Sequence, residues 1–206
     1  ILPEQLDLDS MSYGNQMKAA ELYPVYQAAL KSNNALDFDD LLASTAKLFQ
    51  QVPSLREHYD RKFQYILVDE FQDTNAVQYE LVRLLSMDVN NVCVVGDDDQ
   101  SIYRWRGADI ENILNFEKDY PGTTVIKLEE NYRSTQNILT AAGNVVRENR
   151  SRNEKTLWTQ NEKGEPVICY RAEDEISEAE FVCDRIQSLC QEEGFAFNEI
   201  AILYRT

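Results

Sequence analysis

Three short strings in this chain gather side chains that can manage phosphate, a divalent cation and nucleic-acid bases. The first is Ile66-Leu-Val-Asp-Glu-Phe-Gln-Asp-Thr-Asn75. An apolar run that delivers Asp69 and Glu70 at its end has the form of a Walker B motif. There the Asp holds Mg²⁺, usually through water, and the Glu polarises the water that attacks a phosphoryl group. Asp-Glu alone also reads as an ordinary acidic turn after a strand; the longer string is far more specific.

The second string is Val94-Val-Gly-Asp-Asp-Asp-Gln-Ser-Ile-Tyr-Arg-Trp-Arg-Gly-Ala-Asp109. Gly96 allows a tight turn after a strand. Gln100 carries an amide able to sense a γ-phosphate or its water. Tyr103, Arg104, Trp105 and Arg106 alternate rings with cations, which suits single-stranded nucleic acid: bases stack on the rings and arginine neutralises phosphate. The plainer alternative makes Tyr103 and Trp105 core residues and the arginines solvated charges. The third string is Leu128-Glu-Glu-Asn-Tyr-Arg-Ser-Thr135. Tyr132 can stack on a purine, and Arg133 can reach a γ-phosphate as an arginine finger in cis. A strand-to-helix turn capped by Ser134 or Thr135 accounts for the same residues and is compatible with that role.

The elements that must carry these strings follow from periodicity. Residues 16–31 place Met17, Leu22, Val25, Tyr26, Ala29 and Leu30 near helical spacing, and Asp37 can cap a second helix through Leu41, Leu42 and Leu48, with Pro53 soon after its end. Strands are expected at 63–68, 91–95 and 123–128, with helices between them around Val77–Leu85 and Ile110–Phe116, the latter capped by Asp109. Strand, helix, strand, helix, strand implies an α/β domain with a parallel sheet, in which ligands bind beyond the carboxyl ends of the strands. The acidic clusters lie at those ends. Further on, helices are expected at 138–150 and 176–189 and strands at 166–170 and 200–204.

Composition narrows the class. The chain has 206 residues, 36 Asp and Glu against 20 Lys and Arg, and a formal net charge of −16. With 43% hydrophobic residues it is too apolar for an acidic disordered chain, and no apolar run is long enough for a membrane span. The acidity argues against a histone-like nucleic-acid binder with a broad basic face. Four cysteines lie far apart and the only histidine is His58, so zinc spacing is absent; Cys93, among valines, is expected to be a buried thiol, and reduced cysteines suit a cytoplasmic protein. The chain opens Ile1-Leu2-Pro3 without Met and shows no signal peptide, as expected of an internal piece of a longer protein.

Taken together, the order and spacing of the three strings resemble motifs II, III and IV of superfamily 1 DNA helicases of the UvrD/PcrA/Rep type, and the resemblance covers most of the chain. Asn34-Ala-Leu-Asp-Phe-Asp-Asp-Leu-Leu42 looks like the segment entering the first motor domain, and Ile200-Ala-Ile-Leu-Tyr-Arg-Thr206 like a strand of the second. The resemblance implies RecA-like P-loop NTPase domains: 1–33 as the end of a helical insert (1B-like), 34–126 as the latter half of the first motor domain (1A-like), and 127–206 as the start of the second (2A-like). It implies ATP and Mg²⁺ as cofactors, 3′-to-5′ movement along single-stranded DNA, unwinding at single-strand/duplex junctions, and DNA repair or replication proteins as partners. It implies a role for each matching residue. Asp69 serves Mg²⁺ and Glu70 activates water. Gln100 links γ-phosphate to the DNA-binding segment. Tyr103, Trp105 and Arg106 meet single-stranded DNA. Tyr132 packs on adenine, and Arg133 contacts the γ-phosphate across a cleft between two motor domains.

One part of the machinery is missing from these residues. The seven glycines, at 14, 96, 107, 122, 143, 164 and 194, begin no G-x-x-x-x-G-K-[ST] phosphate loop. The 206 residues by themselves are therefore expected to lack ATPase and unwinding activity, and their incomplete sheet to leave apolar surface and strand edges prone to association. Two other readings compete: a non-catalytic DNA- or partner-binding module built on a degenerate helicase core, and part of a RecB/AddA-like helicase–nuclease. The first sits poorly with Asp69, Glu70, Gln100 and Arg133 occurring together, the second with Trp105, where such relatives tend to have Phe. Arg147-Glu-Asn-Arg-Ser-Arg-Asn-Glu-Lys155 is a basic island in an acidic chain; it can track a DNA backbone, sit at an interface, or be a solvated helix end.

Overall fold

The computed structural model describes residues 14–149, 152–153 and 155–204. The chain forms two compact units. The first takes in the residues up to Glu129 together with Asn144–Thr156, the second Glu130–Gly143 together with Leu157 onward.

The first unit begins with three helices, α1 (Asn15–Ser32), α2 (Phe38–Gln51) and α3 (Pro53–Lys62). Asp37 caps α2 as its position predicts: its carboxylate accepts from Asp40 N–H at 2.8 Å while Asp40 reaches back to the Asp37 N–H, so two of the helix's orphan donors are satisfied. Helix α3 is not foreseen by the pattern. Pro53 does not merely stop α2; it stands in the first turn of α3, where its fixed φ is already helical and no N–H is needed. Helix α4 (Ala76–Leu85) is capped by a reciprocal Asn75–Gln78 pair. The expected helix around Ile110–Phe116 divides at Asn115 into α5 (Glu111–Leu114) and α6 (Phe116–Asp119), where the Asn115 amide bonds the Glu111 carboxylate at 2.7 Å. Asp109 accepts from Glu111 N–H at its start.

The sheet is a parallel pair, β1 (Ile66–Val68) and β2 (Val92–Val94), in the register Ile66–Val92, Leu67–Cys93, Val68–Val94. Alternation along the strands decides burial. Val68, Val92 and Val94 face a cluster built on Phe71, Tyr79 and Phe116, with Ile113 and Tyr120 against it. Leu67 (76% exposed) and Cys93 face the other way. The expectation of a buried Cys93 thiol is thus wrong by one step of the pleat: its valine neighbours are packed and it is not. A second cluster, Ala46, Phe49 and Leu84, joins α2 to α4 with Leu55 and Tyr59 of α3.

Among the described residues no further strand forms. Residues 123–128, 166–170 and 200–204, all expected as strands, have no ladder partner, and Ile126, Leu128, Ile168 and Leu203 are exposed. A strand is defined by the neighbour it bonds, and apolar alternation alone does not supply one. Arg205 and Thr206 lie outside the described residues. The second unit carries α7 (Gln136–Val146), which draws its last residues from the first unit's stretch, and α8 (Glu175–Glu192), capped by Asp174 accepting from Ser177 N–H at 2.7 Å. One parallel bridge pairs Glu130 with Trp158.

Candidate active site and nucleic-acid interface

The site of the first unit is built where β1 and β2 end together. Val95 N–H donates to the Val68 carbonyl at 2.8 Å and Phe71 N–H to the Val95 carbonyl at 3.0 Å, so the two exits are stitched side by side. Asp69 and Glu70 leave β1 exposed to solvent. Glu70 takes a left-handed conformation (φ 49°, ψ 41°), which for a residue with a Cβ costs about 1 kcal/mol or more. The turn 71–73 holds it there, anchored by Phe71, which is wholly buried and meets Tyr79 and Phe116 edge-to-face at 5.7 and 5.5 Å. Burying such a ring contributes about 2–3 kcal/mol, enough to offset the strain.

Asp69 Oδ1 accepts the Glu70 N–H at 2.9 Å; its other oxygen has no hydrogen bond within the described residues. One exposed carboxylate with a free oxygen fits Mg²⁺, which keeps most of its waters and takes one or two protein carboxylates beside substrate phosphates. The Glu70 carboxylate accepts from Gln72 Nε2 at 2.8 Å, and Gln72 Oε1 accepts from Asp97 N–H at 3.0 Å. Gln72 is 1% exposed.

Gly96 is required here, though not for the turn conformation its position suggested. Its φ is not in the left-handed range. A Cβ there would lie 2.6 Å from Gln72 Oε1, 2.9 Å from Ile113 Cδ1 and 3.2 Å from Phe71 N. Close approach of two loops, rather than backbone freedom, demands glycine.

Gln100 is exposed at the end of the turn 98–100, and its amide donates to Asp97 Oδ2 at 2.7 Å. Asp97, Asp98 and Asp99 converge so that one oxygen of each lies within 4.8 Å of the others, a spacing that could hold a metal ion. Lys155 fills that position instead. Its ammonium is 2.5, 2.8 and 3.1 Å from Asp97, Asp98 and Asp99. Arg152 pairs with Asp99 at 2.9 Å, Asn149 donates to Asp99 at 3.1 Å, and Asn153 N–H donates to Asp98. Burial raises Asp97 and Asp99, but hydrogen bonds from Lys155 and from Gln100 or Asn149 outweigh it and hold both carboxyls below their ordinary value. Burial pulls Lys155 down, and its three carboxylate partners push it above its ordinary value. Two cations of the basic island are therefore consumed by the acidic triplet rather than displayed to a polyanion. Arg150, Ser151 and Glu154 of that island lie outside the described residues.

Residues 103–106 form an outward-facing cluster. Trp105 is 74% exposed and Tyr103 is partly so, their ring centres 6.3 Å apart. The Arg106 guanidinium lies 4.7 Å from the Trp105 ring centre and 5.2 Å from that of Tyr103. Gly107 (φ 87°) closes the turn. The rings are not core residues, and the cation that stacks on them stays at the surface.

In the second unit, Tyr132 is 79% exposed and donates to Glu130 at 2.8 Å, a bond that raises its phenol. Arg133 is exposed, and Asn131 Oδ1 accepts from both the Arg133 and Ser134 N–H groups at 3.0 and 2.7 Å, folding the turn that leads into α7. Asn131 and Gln72 are residues that the sequence did not single out, and Lys155 it placed only at the end of a basic island. Each orders a candidate residue through a partner distant in sequence or through backbone N–H groups.

Residues 2–121 match the UvrD/REP helicase N-terminal domain, and residues 126–206 the UvrD-like helicase C-terminal domain. Over 204 residues the chain is 52% identical to proteins named ATP-dependent DNA helicase PcrA from Bacillus subtilis (strain 168) and Staphylococcus aureus (strain Mu50 / ATCC 700699), and the same to that of Staphylococcus epidermidis. These matches cover 99% of this chain and 28% of each relative, so the chain spans little more than a quarter of their length. With one helicase domain description matched across more than half of its residues and the companion description across nearly all the rest, the chain belongs to the UvrD/REP helicase family.

Proposed function

We propose that these residues form the central part of an ATP-driven DNA motor that moves 3′ to 5′ on single-stranded DNA and unwinds duplex at single-strand/duplex junctions. The units are then portions of two RecA-like domains, with 1–33, 34–126 and 127–206 as the helical insert, the first motor domain and the second. The observation that carries this reading is the joined exit of β1 and β2. It sets Glu70 and the loop bearing Gln100 beside one another, with a solvent-facing stacking cluster beginning three residues after Gln100.

Each residue has a task in that reading. Asp69 takes part in holding Mg²⁺, which when bound supplies charge neutralisation at the phosphates. Glu70 accepts hydrogen bonding from the attacking water and aims its lone pair. Gln100 meets the γ-phosphate or its water, and its short link to Tyr103, Trp105 and Arg106 relates nucleotide state to the grip on DNA. Trp105 and Tyr103 stack on bases, with Arg106 adding charge. Tyr132 packs on adenine, and Arg133 stabilises charge on the γ-phosphate. The setting is cytoplasmic, with DNA repair or replication proteins as partners. The described residues include no helix long and apolar enough to cross a membrane. Because the 206 residues contain no phosphate loop, they turn over no ATP alone.

The test uses the intact gene product. It is expected to hydrolyse ATP in a DNA-stimulated manner and to unwind duplexes bearing a 3′ tail but not a 5′ tail. The variant Glu70→Gln is expected to bind nucleotide and lose turnover by about 10²–10⁴-fold, the usual value of a positioned general base. A protein that binds DNA without nucleotide turnover overturns the reading in favour of a non-catalytic module.

A further inference from the structure

We infer that Gln72 is a positioning residue for the reaction: it fixes the Glu70 carboxylate and ties it to the loop that carries Gln100. This inference rests on the reading of Glu70 as the residue that aims the attacking water.

Geometry and burial carry it. Gln72 is almost completely enclosed, and a buried primary amide is costly unless its groups are used. Here they are used in a directional way. The Asp97 N–H can only donate, so the Gln72 atom 3.0 Å from it must be the carbonyl oxygen. The amide nitrogen is then the atom facing Glu70, at 2.8 Å. One backbone group from the far loop therefore sets the orientation of the amide, and the amide sets Glu70. The backbone of Gln72 joins the same loop, accepting from the Ser101 hydroxyl at 3.2 Å.

The chain of contacts continues past Gln72. Asp97, whose N–H orients the amide, accepts with its own carboxylate from the Gln100 side chain at 2.7 Å. Glu70, Gln72, Asp97 and Gln100 thus form one uninterrupted hydrogen-bonded series. Glu70 needs such a restraint. It is exposed, on a left-handed backbone, and a carboxylate on two flexible bonds would otherwise sample several rotamers. Gly96 leaves the space through which the amide reaches Asp97, since any Cβ there would strike Gln72 Oε1.

The key variant is Gln72→Glu in the intact gene product. It keeps the shape and an acceptor for the Asp97 N–H, but it replaces the permanent amide donor with a buried carboxyl that either repels Glu70 or shares a proton with it, so kcat becomes dependent on pH where the parent's is not. DNA-stimulated kcat is expected to fall about 10–100-fold, the scale of losing alignment at a reacting centre. The KM for ATP and the Kd for a fluorescent ATP analogue are expected to stay within about 3-fold. In a Glu70→Gln background the same substitution should cost nothing further, because the residue through which Gln72 acts is already gone. Gln72→Met, which supplies neither bond, provides a second variant should the first fold poorly; it is expected to lower kcat similarly, with nucleotide affinity retained.

Full kcat in a folded Gln72→Met, or full kcat with the parent's pH profile in Gln72→Glu, overturns the inference, as do losses that add to those of Glu70→Gln. Failure of the underlying reading looks different: Glu70→Gln itself then leaves turnover unchanged, or the unsubstituted protein shows none, and the role of Gln72 falls with it.

Discussion

The Lys155 ammonium lies 2.8 Å from Asp98 and 3.1 Å from Asp99, holding a residue late in the chain against a loop more than fifty positions earlier. Lys155 is 18% exposed, and with Asp97 it completes a four-charge cluster behind Gln100. Its pH dependence follows from the shifts. Asp97 and Asp99 are lowered in the fold, so their contribution is present above the ordinary 3.8 and lost as pH falls through their folded values. Lys155 is raised, so its contribution is full below the ordinary 10.5 and lost as pH rises through its folded value. Thermal unfolding should show a stability plateau between about pH 5 and 10, falling on both sides. Lys155→Met removes the cation and leaves three carboxylates facing one another. It should cost about 1–3 kcal/mol near neutral pH, between the values for exposed and fully buried pairs. The loss should shrink as pH falls from the ordinary 3.8 through the folded values of Asp97 and Asp99, where those two carboxyls take up protons. Equal loss at pH 3 and pH 7 would contradict this account.

Gly96→Ala places a methyl within 2.6 Å of Gln72 Oε1 and 2.9 Å of Ile113 Cδ1. Neither neighbour gives way freely, because Gln72 is held at both ends and Ile113 packs in the Phe71–Phe116 cluster. Overpacking of this kind costs about 1–3 kcal/mol. Urea denaturation should show a lower midpoint with an unchanged slope, and ATP turnover of the intact protein should fall as Gln72 is pushed from Glu70.

Gly96 also marks the limit of what the sequence discloses. The β1 exit at Asp69 and Glu70, the Asp37 cap and helices α1, α2, α4 and α8 follow from local chemistry: an apolar run that ends, a capping side chain, a helical period. The need for glycine at 96 does not, because it depends on Gln72, twenty-four residues earlier, lying alongside. The roles of Gln72, and of Lys155 within its basic island, are hidden for the same reason. A buried glutamine and a lysine in a mixed-charge stretch acquire meaning only from partners in other segments. The three strands expected beyond β2 fail on equally non-local grounds, since residues 123–128, 166–170 and 200–204 have the apolar character of strands without a strand beside them. Pro53 misled in the opposite direction: the same fixed φ that halts one helix starts the next.

Trp105 presents most of its ring to solvent with Arg106 stacked beside it, an open aromatic face of the kind on which a base can stack. Trp105→Ala in the intact gene product should weaken binding to oligo(dT) by about 1–3 kcal/mol, with the salt dependence unchanged, because stacking releases no counterions. Arg106→Ala should both weaken binding and lower the salt slope by about one. Trp105→Phe should retain most of the affinity. Fluorescence anisotropy across a salt series separates the two residues. If both substitutions change the slope equally, Trp105 is not a stacking residue.

The pairing of Leu67 with Cys93 exposes one apolar face of the parallel sheet, with the thiol at its centre. Parallel sheets are ordinarily covered on both faces. In the isolated 206-residue chain, Cys93 should therefore react with an aromatic disulfide reagent under native conditions. The count of reactive thiols should drop by one in Cys93→Ser, which is needed because Cys169 and Cys183 are exposed too. The same face should drive self-association, seen as a sedimentation coefficient that rises with concentration, and Leu67→Lys should suppress it by placing a charge on the patch. If a longer gene product covers this face, as parallel sheets ordinarily are covered, Cys93 is protected there and Leu67→Lys is destabilising. Rapid labelling of Cys93 in the intact protein would mean that the exposed sheet face belongs to the working molecule.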